Sequence, residues 1–277
     1  MATAIIIPLY RPGVRHLLLL KSVLSASEYL SDTVIYVASD GSQSDVMWPN
    51  GSIVRLLDVA KSLGIEMCIF SFINQGGYPR CYQMLMAHAI IHSNPNLFHF
   101  IDQDDYCLSN RFRGRSPVLT QASSYLVVSG SFTTRFKHEI ISEKLAAVLE
   151  TPAPGMTYSA PRDIVDSYLE LCLSNSAAEN TAHDFVIFLI SKRLGRLVAI
   201  PSVSMLYVQH EENFIGYHTG LRWLYAKLSN PKAILTRTLR HINLINLIYD
   251  DKRWVNNERL HHSNIRSFIY KIIIKLG

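Results

Sequence analysis

The strongest constraint on the fold is the run LFHFIDQDD at residues 97–105, where a largely apolar approach stops in Asp102, Gln103, Asp104 and Asp105. Apolar residues entering the carboxyl end of a strand, with carboxylates just beyond, put negative charge at the open edge of an α/β sheet, where ligands bind. Three carboxylates within four residues repel one another unless something positive sits among them. A divalent cation held for a phosphorylated ligand is one reading, since oxygen ligands suit Mg²⁺ or Mn²⁺. A polar turn is the other.

The chain before this run alternates strand and helix patterns. Residues 4–9 read as a short buried strand, 14–30 as a helix and 34–37 as a second strand that stops at Ser39, Asp40 and Gly41. Strand, helix, strand predicts a parallel pair joined by a right-handed crossover. Asp40 then shares the edge of Asp102, either accepting hydrogen bonds from a nucleobase or ribose or serving as an ordinary loop residue. Residues 52–64 read as a helix and 66–70 as a third strand opening into Asn74, Gln75, Gly76 and Gly77. Residues 79–92 are helical, with Tyr82, Leu85, Met86, Ala89 and Ile90 inward. No P-loop or dinucleotide fingerprint is present, so the carboxylates are the better clue.

Downstream, Arg111, Arg113 and Arg115 read as phosphate-facing or, more plainly, as solvated and salt-bridging surface. A strand is expected over 125–128, a break over 151–155 and a helix over 164–173. His183 and Asp184 precede the apolar run 186–190 and so open a helix, where orphan amides favour a carboxylate. Asp184 is either that cap or a base for an attacking hydroxyl. A strand over 198–207 leads to Gln209 and His210, the latter a metal ligand or a hydrogen-bonded loop histidine.

Charge is unevenly placed. The net charge is +5, yet residues 220–277 hold 11 Lys or Arg against 3 Asp or Glu. This basic, amphipathic tail either lies on an anionic bilayer or covers the rest of the protein. An acidic ligand edge would repel a phosphate backbone, so a nucleic-acid binder ranks below an enzyme. The four cysteines show no zinc spacing in the sequence and read as cytosolic thiols, and no leader or spanning segment is expected.

Taken together, IIIPLYRP, SDGS, the NQGG loop, FIDQDD, AHDF and YVQHEENFIG resemble, in order and spacing over about residues 4–216, a bacterial family 2 glycosyltransferase of the rhamnosyltransferase-like subgroup that assembles surface polysaccharides such as O-antigen or capsule. The resemblance implies the GT-A fold, a mainly parallel sheet flanked by helices, with a catalytic domain over 1–219 (donor half to about 115) and a helical extension over 220–277. It implies a dTDP- or UDP-sugar donor whose base pocket is shaped near Pro8 and Tyr10, with Asp40 on the nucleoside. Asp102, helped by Gln103, would hold the ribose, Asp104 and His210 would bind Mn²⁺ or Mg²⁺, and Asp184 would be the catalytic base. Asp105, Asn74, Gly76, His183 and Gln209 are supporting candidates. The acceptor would be a saccharide, lipid-linked, at the cytoplasmic face of the inner membrane. The chain departs from the family pattern at Ser39, Val208, Glu211 and Glu212. The same residue types also suit a metal-dependent nucleotidyltransferase or a sugar-nucleotide hydrolase.

Overall fold

The computed structural model describes residues 2–10, 14–28, 30–40, 52–72, 77–103, 105–113, 124–131, 155–206 and 231–249. The chain divides into two compact units, one of residues 1–137 and 153–207, the other of 138–152 and 208–277. In the first unit, β1 (Thr3–Tyr10), α1 (Val14–Ser27), β2 (Thr33–Asp40), α2 (Ser52–Ser62), β3 (Glu66–Phe72), α3 (Tyr78–Ser93) and β4 (Leu97–Phe100) alternate in the expected order. β1 pairs parallel with both β2 and β4, and β2 pairs parallel with β3. Every residue of β4 is buried, which is why its sequence reads as an almost unbroken apolar run. Alternation across the pleat sends Ile5, Ile7, Leu9, Ile35 and Val37 into one core with Leu20, Val23, Leu24 and Leu56 of α1 and α2.

Beyond β4 the sheet changes direction. β5 (Tyr106–Cys107), β6 (Leu126–Ser131), β7 (Tyr158–Pro161) and β8 (Leu197–Leu206) complete an eight-stranded sheet of order β3-β2-β1-β4-β7-β6-β8-β5. β7 is antiparallel to β4 on one side and to β6 on the other. Two of these strands go beyond the sequence reading, which assigns no strand to residues 158–161 or to the two-residue β5. Both are short and lack an alternating pattern, so periodicity does not reveal them. Between β7 and β8 lie α4 (Arg162–Ser174), the single-turn α5 (Ser176–Glu179) and α6 (His183–Arg193).

Arg111 corrects the reading of the arginine cluster as either phosphate-facing or solvated. Its side chain is fully buried and donates to the carbonyl oxygens of Met156, at 3.3 Å, and Tyr158, at 2.9 Å. Burial lowers its pKa to about 10, still well above neutral, so the guanidinium remains charged while tying the segment after β5 to β7. Arg113 is exposed, and Arg115 lies outside the described residues.

In the second unit, α7 (Pro231–Tyr249) buries Ile242, Leu244, Ile245 and Ile248 and exposes Leu247. The rest of the basic tail, 250–277, lies outside the described residues. Among the described residues, no helix is long and apolar enough to cross a membrane.

Arg111→Ala strips two buried carbonyls of their donor and opens a void. It is expected to lower unfolding stability by about 2–4 kcal/mol, read from urea denaturation.

Candidate active site

Four parallel strands deliver their carboxyl ends to one edge. Tyr10 and Asp40 sit opposite each other at the ends of β1 and β2, and Asp40 pairs in turn with Phe72 at the end of β3. The Ile101 amide continues the ladder past β4 by donating to Ile6 O at 3.0 Å, and Asp102 follows directly at the strand end. Gln103 reaches back, its Oε1 accepting from the Tyr10 amide at 2.6 Å, and this joins two of the predicted donor-side residues. Pro8 is buried within β1, in register with Ala38, while the Tyr10 side chain is half exposed.

Asp102 is held from α3. Gly77, at φ 89°, starts that helix in a backbone conformation glycine adopts without strain, and Pro79 occupies its first turn. Tyr78 and Tyr82, one helical turn apart, both donate their hydroxyls to Asp102 Oδ1, the Tyr82 bond at 2.8 Å. The Tyr82 hydroxyl also lies 3.0 Å from Ile101 O, so it grips both the strand end and the carboxylate. Tyr82 was read as an apolar core residue. Its ring is buried as expected, but its hydroxyl belongs to the site, and neither tyrosine was a candidate from the sequence. The available signal was the Tyr-x-x-x-Tyr spacing directly after Gly76 and Gly77.

The other wall comes from α6. The ring of His183 lies over that of Tyr82, with centroids 3.6 Å apart, and also packs against Phe100 at 5.1 Å. Both of its nitrogens are buried without a hydrogen-bond partner among the described residues, and burial pushes its pKa down to about 3. It is therefore neutral at any physiological pH. Asp184 follows in the first helical turn and accepts from the Phe185 amide at 2.7 Å, satisfying one orphan donor of the helix. That bond and one from the Gly155 amide favour its charged form, yet burial and the nearby charge of Asp102 outweigh them and raise its pKa to about 7. The cap and base readings of Asp184 are compatible: one oxygen serves the helix while the carboxyl titrates near neutrality.

Gly155 is required by close approach. A Cβ there would lie 2.9 Å from Asp184 Cβ and 3.0 Å from His183 Nε2. Asp105 is buried, and its amide donates to Asp102 O at 3.4 Å. The side chain of Asp40, and all of Asp104, Asn74, Gly76, Gln209, His210, Val208, Glu211 and Glu212, lie outside the described residues.

No family model matches this sequence, and no curated protein sequence matches it. Solved structures do. The 1–349 fragment of S. aureus TarS in complex with UDP-GlcNAc is 12% identical and superposes with a TM-score of 0.52 over 92% of this chain and 73% of that one. The fold is the GT-A glycosyltransferase fold. A second TarS structure, 13% identical with a TM-score of 0.54, is covered over 53% of its length by 99% of this chain, which thus spans about half of it. The mannosyltransferase PcManGT from Pyrobaculum calidifontis, in complex with GDP-Man and Mn²⁺, is 10% identical with a TM-score of 0.52, covering 99% of this chain and 79% of that one.

Asp102 offers carboxylate oxygen, which suits a hard divalent cation, and positive charge beside it would offset the Asp102 repulsion that adds to burial in raising Asp184.

Two outcomes follow for this site. Because the folded pKa of Asp184 lies above its ordinary 3.8, the folded state holds an extra proton between about pH 4 and 7, and stability falls as pH rises through that window. Asp184→Asn removes this dependence. Relative to wild type, the variant gains about 1–2 kcal/mol between pH 4 and 8 after allowance for partial solvent exposure, measured by denaturation at each pH. Gly155→Ala forces Asp184 and His183 aside and costs about 1–3 kcal/mol, seen as a lowered Tm.

Proposed function

We propose that this chain is an inverting, metal-dependent glycosyltransferase of the rhamnosyltransferase-like kind, moving a hexosyl group from a dTDP- or UDP-sugar to a hydroxyl of a lipid-linked saccharide in surface polysaccharide assembly. The observation that carries this reading is the pairing of two carboxylates in contrasting environments. Asp102 is fixed by two tyrosine hydroxyls at the end of β4, and Asp184 has its pKa raised to about 7 at the start of α6. A carboxylate held by hydroxyl donors suits a binding role, and one whose pKa is raised to about 7 suits a proton acceptor.

In this account Asp40 and Tyr10 meet the nucleoside at a strand edge that buried Pro8 shapes from within β1, Asp102 with Gln103 holds the ribose, and Asp104 with His210 would hold Mn²⁺ or Mg²⁺. When bound there, such an ion would supply positive charge to offset the charge developing on the departing diphosphate. Asp184 takes the proton of the acceptor hydroxyl as its oxygen bonds to the anomeric carbon and the bond from that carbon to the diphosphate oxygen breaks. The nucleoside diphosphate leaves from the opposite face, so configuration inverts without a covalent sugar intermediate. His183, neutral and packed on Tyr82, orients the helix start that carries Asp184. The basic segment over 220–277 places the enzyme at the cytoplasmic face of the inner membrane, where a lipid-linked acceptor would be found. The GT-A fold and the Mn²⁺ and nucleotide sugar in the PcManGT complex support the assignment.

The test is mass spectrometry of purified protein with Mn²⁺ or Mg²⁺, a panel of dTDP-, UDP- and GDP-sugars and lipid-linked acceptor mimics. The expected product is heavier by one sugar and accompanied by free nucleoside diphosphate. Asp184→Asn is expected to lower kcat by about 10²–10⁴ while leaving donor affinity within about twofold. Pyrophosphate release would instead identify nucleotidyl transfer, free sugar without extended acceptor would identify hydrolysis, and no donor consumption would reject the reading.

A further inference from the structure

At the far end of α3 from the tyrosines, a second group of side chains converges. β3 is an edge strand of the sheet, and Glu66 and Cys68, two residues apart on it, present side chains to the same face. His92, in the last turn of α3, meets them there. His92 Nε2 lies 3.5 Å from Glu66 Oε1, Cys68 Sγ lies 3.7 Å from the same oxygen, and the three ligand atoms all fall within 4.8 Å of one another. In a tetrahedral zinc site, with sulfur at about 2.3 Å and nitrogen or oxygen at about 2.0–2.1 Å, neighbouring ligand atoms stand about 3.4–3.6 Å apart. The two measured edges are close to that spacing.

The hydrogen bonding behind His92 sets the ring for metal binding. Ser93 Oγ donates to Ala89 O, which can only accept, and Tyr36 OH donates to Ser93 Oγ at 2.8 Å. With its proton committed there, the Tyr36 hydroxyl accepts from His92 Nδ1 at 3.0 Å. With Nδ1 engaged by Tyr36, Nε2 is the ring nitrogen that faces Glu66 and Cys68. A metal-bound histidine is usually oriented in this way, by a partner on its other nitrogen. Tyr36 is fully buried, so the chain of bonds is anchored in the core while Glu66 and His92 stay about half exposed.

We propose that Glu66, Cys68 and His92 form a zinc-binding clip that fastens the edge strand β3 to the C-terminal turn of α3. One sulfur, one imidazole nitrogen and one carboxylate oxygen suit Zn²⁺, with a solvent molecule as fourth ligand, and the thiolate disfavours Mg²⁺ and Mn²⁺. The site is separate from the edge that carries Asp102. α3 has 16 residues and so runs about 24 Å from Tyr78 to Ser93, with the clip at the amino ends of the parallel strands and Asp102 at their carboxyl ends. Pinning one end of this helix steadies the element whose other end holds Asp102.

The experiment is titration of the full chain with Co²⁺ as a spectroscopic stand-in, followed by displacement with Zn²⁺. One equivalent is expected to bind with a thiolate-to-cobalt charge-transfer band that Zn²⁺ abolishes and excess Mg²⁺ or Mn²⁺ leaves intact. Cys68→Ser and His92→Gln should each weaken binding about 100-fold or more, and Tyr36→Phe about 10-fold. Independently of any variant, alkylation of the wild-type protein read by peptide mass spectrometry should modify Cys68 in chelator and spare it in Zn²⁺. Absence of the band, its persistence in Cys68→Ser, or equal alkylation with and without Zn²⁺ would leave Glu66 and His92 as a surface ion pair only and overturn the proposal.

Discussion

The pairing of β4 between β1 and β7 is what the rest of the first unit depends on. On one side β4 continues a parallel sheet of four strands, all ending at one edge; on the other it meets an antiparallel strand, so the edge is bounded where the direction changes. The ladder runs one bond past β4, from the Ile101 amide to Ile6 O, and this sets the position of Asp102. His99 in this strand bonds Ser159 of β7 at 2.7 Å, and burial together with the Arg111 charge holds its pKa well below the ordinary histidine range. A neutral histidine and a charged arginine thus share the seam between the two halves of the sheet.

From that seam the site is assembled by two helix starts. α3 brings Tyr78 and Tyr82 to one oxygen of Asp102, and α6 lays the His183 ring over that of Tyr82 with Asp184 next along the helix. The Tyr82 ring is the shared part: its hydroxyl grips the strand end, its face carries the histidine, and it has no exposure to solvent. Gly155 lets the chain before β7 approach closely enough for its amide to reach Asp184. Gln83 adds a further tie, donating to Tyr168 OH of α4 and Glu179 O of α5, which joins both helices to α3.

Much of this could be read from the sequence because β1 and β4 are almost wholly buried and the first four strands alternate with helices of regular spacing. Apolar runs ending in polar turns located β1 to β4 and placed Asp40 and Asp102 on one edge, and the apolar stretch after Asp184 located α6. What escaped is governed by long-range pairing. Residues 158–161 carry Ser159 and Pro161 and follow a Pro-Gly break, so nothing local marks them as a central strand; they become one because β4 and β6 flank them. Arg111 looks like surface by residue type, and only the carbonyls of Met156 and Tyr158, more than forty positions away, account for its burial. The tyrosine hydroxyls were hidden for a related reason, since helical spacing reports which face a ring occupies and says nothing of what its oxygen reaches.

The central claim is that Asp102 and Asp184 form an electrostatically coupled pair in which one carboxylate is fixed by the tyrosines and the other titrates near neutrality. Carbon-13 NMR of aspartate carboxyls, with the Asp184 signal assigned by its loss in Asp184→Asn, tests this most directly. The account predicts an apparent pKa of about 7 for Asp184 in the free protein, moving down when Asp102 is replaced by Asn. An Asp184 that titrates at its ordinary value and ignores the Asp102 substitution would contradict it.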